Sequence, residues 1–154
     1  MILQTLQGKI GEAMKAHDEI RVSTLRLLLS AINYGEMAKR SKLSEEEELA
    51  VIRKEVKQRR DSIESYDKAG RPDLSEKEKK ELTILQEFLP PEMSDEDLEK
   101  LVNEAIVQYK ADLPADATHQ ALQMGMGKVI GIVKAKAPNT DGGKIAQIVK
   151  GKLS

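Results

Sequence analysis

The sequence predicts an all-α protein: an N-terminal helical bundle over residues 1–90, then a small three-helix C-terminal domain over residues 91–154. Three observations predict it. Apolar residues recur at helical spacing along nearly the whole chain, and no stretch alternates as a strand does. Capping residues stand just ahead of the periodic runs. The proline pair Pro90-Pro91 interrupts the pattern, because two successive prolines cannot continue a helix and force extended geometry on what precedes them.

The first helix carries Leu3, Leu6, Ile10, Ala13 and Met14 and breaks near His17-Asp18. Asp18 is placed to cap a second helix with the stripe Val22, Leu25, Leu28, Leu29 and Ile32. Ser44 and four glutamates open a third, since anions in a first turn suit the helix dipole. Its expected buried positions are Leu49, Ile52, Val56, Ile63 and Tyr66, and Gly70-Arg71-Pro72 stops it. Ser75-Glu76-Lys77-Glu78 reads as a capping box opening a fourth helix, with Leu82, Leu85, Phe88 and Leu89 as its apolar face. After the prolines, Ser94-Asp95-Glu96-Asp97 restarts a helix carrying Leu98, Leu101, Val102, Ala105, Ile106 and Tyr109. Residues 111–117 form a loop, a sixth helix is expected from about Thr118 to Lys136, and Asp141 caps a last one with Ile145, Ile148, Val149 and Leu153.

The chain holds no cysteine, which excludes a disulfide framework, a thiolate metal site and a cysteine nucleophile, and fits a reducing compartment. Met1-Ile2-Leu3-Gln4 has neither a basic start nor an apolar run, and no apolar stretch approaches the ~20 residues that span a bilayer. A soluble, cytoplasmic protein is the expectation. A third of the residues are charged, yet the formal net charge is −1. The distribution is uneven: residues 91–117 carry a local net of −6 and residues 118–154 a local net of +5. Such a basic segment suits a polyanion, or else partners the acidic segment before it. Four aromatics, Tyr34, Tyr66, Phe88 and Tyr109, argue against a module that stacks single-stranded bases on aromatic platforms.

No catalytic constellation appears. His17 and His119 stand far apart, each near a helix start, and no metal-ligand spacing or Gly-rich phosphate loop is present. The carboxylates are dispersed at positions expected to face water, Glu45 to Glu48 among them. No serine sits in a nucleophile elbow. The expectation is a chain with no catalytic residue, no metal and no cofactor.

Three features remain. Arg21 and Arg26, five apart, point in different directions, one across an interhelical groove and the other free. Arg53, Lys57 and Arg60 share one face of the third helix, either as a phosphate-contacting surface or as a solvated face laced with acids. Gly125, Gly127 and Gly131 lie in the expected sixth helix, where glycine costs ~0.8–1 kcal/mol against alanine. That cost marks close approach to the backbone, by another helix or by a phosphate. Lys128, Lys134, Lys144 and Lys150 surround them in sequence as candidate phosphate contacts.

Taken in order, these residues resemble the YqeY family, which shares its domain with the C-terminal part of GatB, a subunit of the glutamine-dependent tRNA amidotransferase. The resemblance rests on Ala13-Met14-Lys15, Arg21 and Ser23-Thr24-Leu25-Arg26, on Lys57-Gln58-Arg59-Arg60-Asp61-Ser62 with Tyr66, and on Gly70-Arg71-Pro72-Asp73-Leu74. It continues through Leu85-Gln86-Glu87-Phe88-Leu89-Pro90, Met126-Gly127-Lys128-Val129-Ile130, Asp141-Gly142-Gly143 and Val149-Lys150. It implies a two-part helical fold whose small C-terminal part helps hold tRNA, with amidotransferase or aminoacyl-tRNA synthetase components as further partners and no role for DNA or membrane. The family is commonly labelled a carbon–nitrogen ligase with glutamine as amide donor, whereas the residues here supply no catalytic centre. The resulting expectation is a tRNA-binding accessory module; the alternative is a protein-interaction module docking a partner through helical grooves.

Overall fold

The computed structural model describes Met1 to Leu153, without the side chains of His119, Leu122 and Gln123. Every regular element among the described residues is helical: α1 (Ile2–Lys15), α2 (Glu19–Lys39), α3 (Glu45–Lys68), α4 (Pro72–Gln86), α5 (Asp95–Ala111), α6 (His119–Met124), α7 (Met126–Lys136) and α8 (Gly142–Leu153). Packing divides them into two compact units, Met1–Pro90 and Pro91–Ser154. None of the helices is long and apolar enough to cross a membrane.

In the first unit, Leu6, Ile10, Leu25, Leu28, Ile32, Leu43, Ile52, Val56, Ile84 and Leu85 form one core. Fully burying a side chain of this size contributes about 1.5–3 kcal/mol. The helices that supply it end sharply. At His17 (φ 56°) the backbone turns left-handed, and the N–H groups of His17 and Asp18 donate to the carbonyls of Met14 and Ala13. Arg40 (φ 61°) does the same for α2, with Arg40 and Ser41 donating to Met37 and Glu36. At Gly70 (φ 66°) the bonds run from Gly70 to Asp67 and from Arg71 to Tyr66. All three are Schellman closures, in which a left-handed residue lets the chain fold back on the last turn. Glycine does this freely; histidine and arginine meet a steric penalty there.

The caps follow the sequence in α2 and α3 and depart from it in α4. The Asp18 carboxylate accepts from the Arg21 N–H at 3.0 Å, and Ser44 with Glu47 closes a capping box. The Lys39 ammonium, then the Ser44 N–H, hold the Glu47 carboxyl down at about 2. Helix α4 begins not at Ser75 but at Pro72, which occupies the first turn where its missing N–H costs nothing. Ser75 is buried inside the helix and caps nothing.

Two glutamates also depart from the expectation of solvated carboxylates. Glu48 is fully buried, and its Oε2 accepts from the backbone N–H of Ile2 at 2.8 Å, so α3 caps the start of α1. It takes an inward position beside Ile52 and Val56, while Leu49, Ile63 and Tyr66 are only half-buried. Glu81 is buried between α3 and α4, 2.8 Å from the Arg59 guanidinium, with Glu78 and Glu55 at 3.5 and 3.8 Å. Three carboxylates thus meet one cation. Desolvation, and then the Glu81 charge, push the Glu78 carboxyl above its ordinary value. Arg21 grips Glu87 with both terminal nitrogens, at 3.1 and 2.6 Å, tying α2 to the end of α4.

In the second unit, Leu98, Val102, Ala105, Ile106, Val129, Val133, Ala137, Ile145, Val149 and Leu153 form a separate core. The expected sixth helix is broken at Gly125 into α6 and α7, so this unit has four helical segments rather than three. The reason is Tyr109. Its ring lies against Gly125 so closely that a Cβ there would fall 2.0 Å from Cζ, and its hydroxyl donates to the Ala121 carbonyl at 3.1 Å. Close approach is therefore real at Gly125. At Gly127 and Gly131 a Cβ would meet nothing within 4 Å, so these two face open space and pack against no helix among the described residues.

Three outcomes follow from these contacts. Gly125→Ala should destabilise the second unit by about 1–3 kcal/mol through overpacking, whereas Gly131→Ala should raise stability by up to ~1 kcal/mol; chemical denaturation followed by circular dichroism measures both, and equal effects would refute the assignment. His17→Gly should stabilise the first unit by about 1 kcal/mol by relieving left-handed strain, read as a higher melting temperature. Glu78→Gln should raise the melting temperature at neutral pH. The raised Glu78 carboxyl opposes folding while charged, and that penalty is relieved as pH falls through its folded-state value, so the advantage of the variant should vanish in acid.

Candidate nucleic-acid interface

Helices α7 and α8 contain no acidic residue, and their buried faces fix which side each lysine takes. In α7, Val129 and Val133 point inward, leaving Gly127, Lys128, Gly131, Lys134 and Ala135 exposed. In α8, Ile145, Val149 and Leu153 point inward, leaving Gly143, Gln147, Lys150 and Gly151 exposed. The apolar period thus sorts the cations to the surface. Glycine and alanine between them keep that surface low, so ammonium groups and bare backbone rather than branched side chains face solvent there.

The four candidate lysines divide into two pairs. Lys128 and Lys150 are exposed and reach no carboxylate among the described residues. Lys134 donates its ammonium to the Thr140 carbonyl, bracing the turn before α8. Lys144 pairs with Asp95 at 2.5 Å, joining α8 to the first turn of α5. Lys136 and Lys152 add two further exposed cations to the same helices. Lys136 also borders a small cavity of about 190 Å³ with Met93, Ala137 and Thr140.

The α3 candidates belong to the first unit and are interleaved with acids. Arg53 pairs with Glu46 at 2.9 Å and Lys57 with Asp61 at 3.6 Å, while Arg60 is half-buried and engaged. These pairs reduce what α3 offers a phosphate. Exposed pairs of this kind are worth only ~0–1 kcal/mol, so a stronger anion can displace the acid.

Sequence reasoning did not find the cavity of about 570 Å³ at the corner of α1 and α2, lined by Met14, His17, Val22, Ser23, Arg26 and Leu27. The signal was present in Leu27, a large apolar residue outside the expected stripe of α2; Met14, expected with the α1 stripe, is instead 52% exposed and lines the cavity. Arg26 is the free member of the arginine pair: among the described residues its guanidinium meets no carboxylate, and it lies 3.8 Å from the Met14 sulfur. His17 is exposed and serves as a helix terminator; the His119 side chain lies outside the described residues. Among the described residues no group of three or more His, Asp or Glu side chains is placed to hold a metal ion.

The profile of the Yqey-like proteins matches residues 3–153. An uncharacterized protein of Schizosaccharomyces pombe is 34% identical over 89 residues, covering 58% of this chain and 72% of its own length. Proteins named altered inheritance of mitochondria protein 41, mitochondrial, are similar as well. That of Kluyveromyces lactis is 33% identical over 131 residues, 82% of this chain and 68% of its own. That of Vanderwaltozyma polyspora is 35% identical over 106 residues, 64% of this chain, which spans 57% of that relative's length. With a match that runs through all eight helices, the chain belongs to the YqeY family.

Proposed function

We propose that this chain is an RNA-directed accessory module that holds tRNA through its second unit and has no catalytic centre of its own. The observation that carries the reading is the acid-free pair α7 and α8, with their lysines and open glycines on the exposed faces. Phosphate contacts of this kind position a nucleic acid by charge and shape and read no bases. The scarcity of aromatics agrees with that mode. The tail of GatB, which the second unit resembles, supplies the class of RNA. Amidotransferase or aminoacyl-tRNA synthetase components are the natural protein partners in this reading, and the carbon–nitrogen ligase label belongs to such an assembly rather than to this chain alone.

Titrating tRNA at stepped salt tests it. Four working lysines should give a slope of log affinity against log salt of about −3 to −4. Lys128→Ala and Lys150→Ala should each remove about one unit of slope and leave folding intact. Lys134→Ala and Lys144→Ala should weaken the fold of the second unit as well, because each lysine also braces it. Undetectable binding at low salt, or a slope indifferent to Lys128 and Lys150, would replace this reading with a protein-interaction module.

A further inference from the structure

Helix α2 buries Thr24, Leu25, Leu28 and Ile32 on one face and leaves the opposite face bare. That bare face is ordered. Ser23, Leu27, Ser30, Tyr34 and Met37 follow one another at spacings of four and three, the seam of a coiled coil, and all five are exposed. Leu27 is 50% exposed, Tyr34 74% and Met37 75%, and Met14 of α1, which lines a cavity with Leu27, is 52% exposed. Scattered exposed apolar residues are ordinary; a continuous seam along a 21-residue helix is an interface feature.

We infer that this seam docks a second copy of the same chain, α2 against α2 in antiparallel register. Three observations select that occupant. Large and small residues alternate so that the seam complements itself: Leu27 falls opposite Ser30 of the second copy, Tyr34 opposite Ser23, and Met37 opposite half-buried Ile20. Parallel pairing would set Tyr34 on Tyr34 and leave the serines facing each other across a gap. The flanking polar groups also match in the antiparallel register, which brings Glu19 beside Arg40 of the second copy, an opposite-charge pair, and Arg26 beside the Asn33 amide. Within one chain neither Glu19 nor Arg40 meets an oppositely charged or hydrogen-bonding side chain among the described residues. Finally, Ser23 lies in the cavity between Met14, Val22 and Leu27, so Tyr34 of the second copy has a receptacle of about 570 Å³ to enter. Two-fold symmetry makes each of these contacts twice.

Sedimentation equilibrium of the full chain tests the inference. A monomer–dimer equilibrium in the micromolar range is expected, and Leu27→Glu or Tyr34→Glu should weaken it by ~10-fold or more. Both residues are exposed, so the melting temperature of the dilute monomer should not change. Glu19→Arg and Arg40→Glu should each weaken the dimer, and the double swap should restore it, which a merely hydrophobic association would not do. A chain that stays monomeric at several hundred micromolar overturns the inference, as does a dimer indifferent to the seam or a double swap that fails to restore. A monomer whose seam variants lose tRNA assigns the face to RNA, and one whose seam variants lose a co-purifying protein assigns it to that protein; either outcome overturns self-association and leaves the lysine test of the second unit standing.

Discussion

The first unit depends on where its helices stop. Four helices can share one core only if the chain reverses at the right residue, and His17, Arg40 and Gly70 impose that reversal by adopting a left-handed backbone. Each closure satisfies carbonyls that would otherwise end unpaired at a helix terminus. Once α1, α2 and α3 are cut to these lengths, the remaining contacts have fixed places. Glu48 reaches the Ile2 N–H, Arg21 reaches Glu87, and Arg59 reaches the carboxylates of α4. A strained backbone at two non-glycine positions is accepted in return for a bundle with correct register.

Much of this was legible in the sequence because it is local. Asp18 and Ser44 are caps whose partners lie three residues away, and a local pattern of that kind survives any tertiary context. Gly70 as a terminator is likewise a property of one residue's backbone. The expectations that changed concern groups whose fate is set by distant partners. Nothing near Glu48 in sequence announces that Ile2 will need an acceptor, and nothing near Glu81 announces Arg59. The break at Gly125 has the same origin. The α6–α7 stretch has helical periodicity throughout, and only the ring of Tyr109, arriving from α5, divides it. Pro72 is a different case: a capping-box pattern at Ser75 competed with a proline at the first turn, and the proline prevailed because it starts the helix without needing a side-chain bond.

The candidate site was legible in the same proportion. Composition located the basic segment, and helical periodicity placed its lysines on the outside. Composition could not separate lysines that face solvent from those that hold the unit together. Lys134 and Lys144 do the second task, each reaching across a loop or between helices. Charge in this small unit is therefore partly structural, with the acids of α5 answering one lysine of α8 while α7 and α8 carry none of their own. The seam of α2 belongs to another logic. Its pattern is helical like the core stripes, and only burial distinguishes an inward stripe from an outward one.

The position of Tyr109 has an optical consequence. The chain contains three tyrosines and no tryptophan, so its near-ultraviolet absorption and emission come almost wholly from phenols. Tyr34 and Tyr66 lie in the first unit and Tyr109 in the second. The Tyr109 ring is clamped over a glycine with its hydroxyl bonded to the Ala121 carbonyl. Within one chain Tyr34, by contrast, is 74% exposed, and Tyr66 is half-buried in the first unit. A single phenol, held against one glycine, therefore carries the whole tyrosine contribution of the second unit to the near-ultraviolet dichroism, and a Tyr109→Phe variant subtracts it from the signal of the larger bundle.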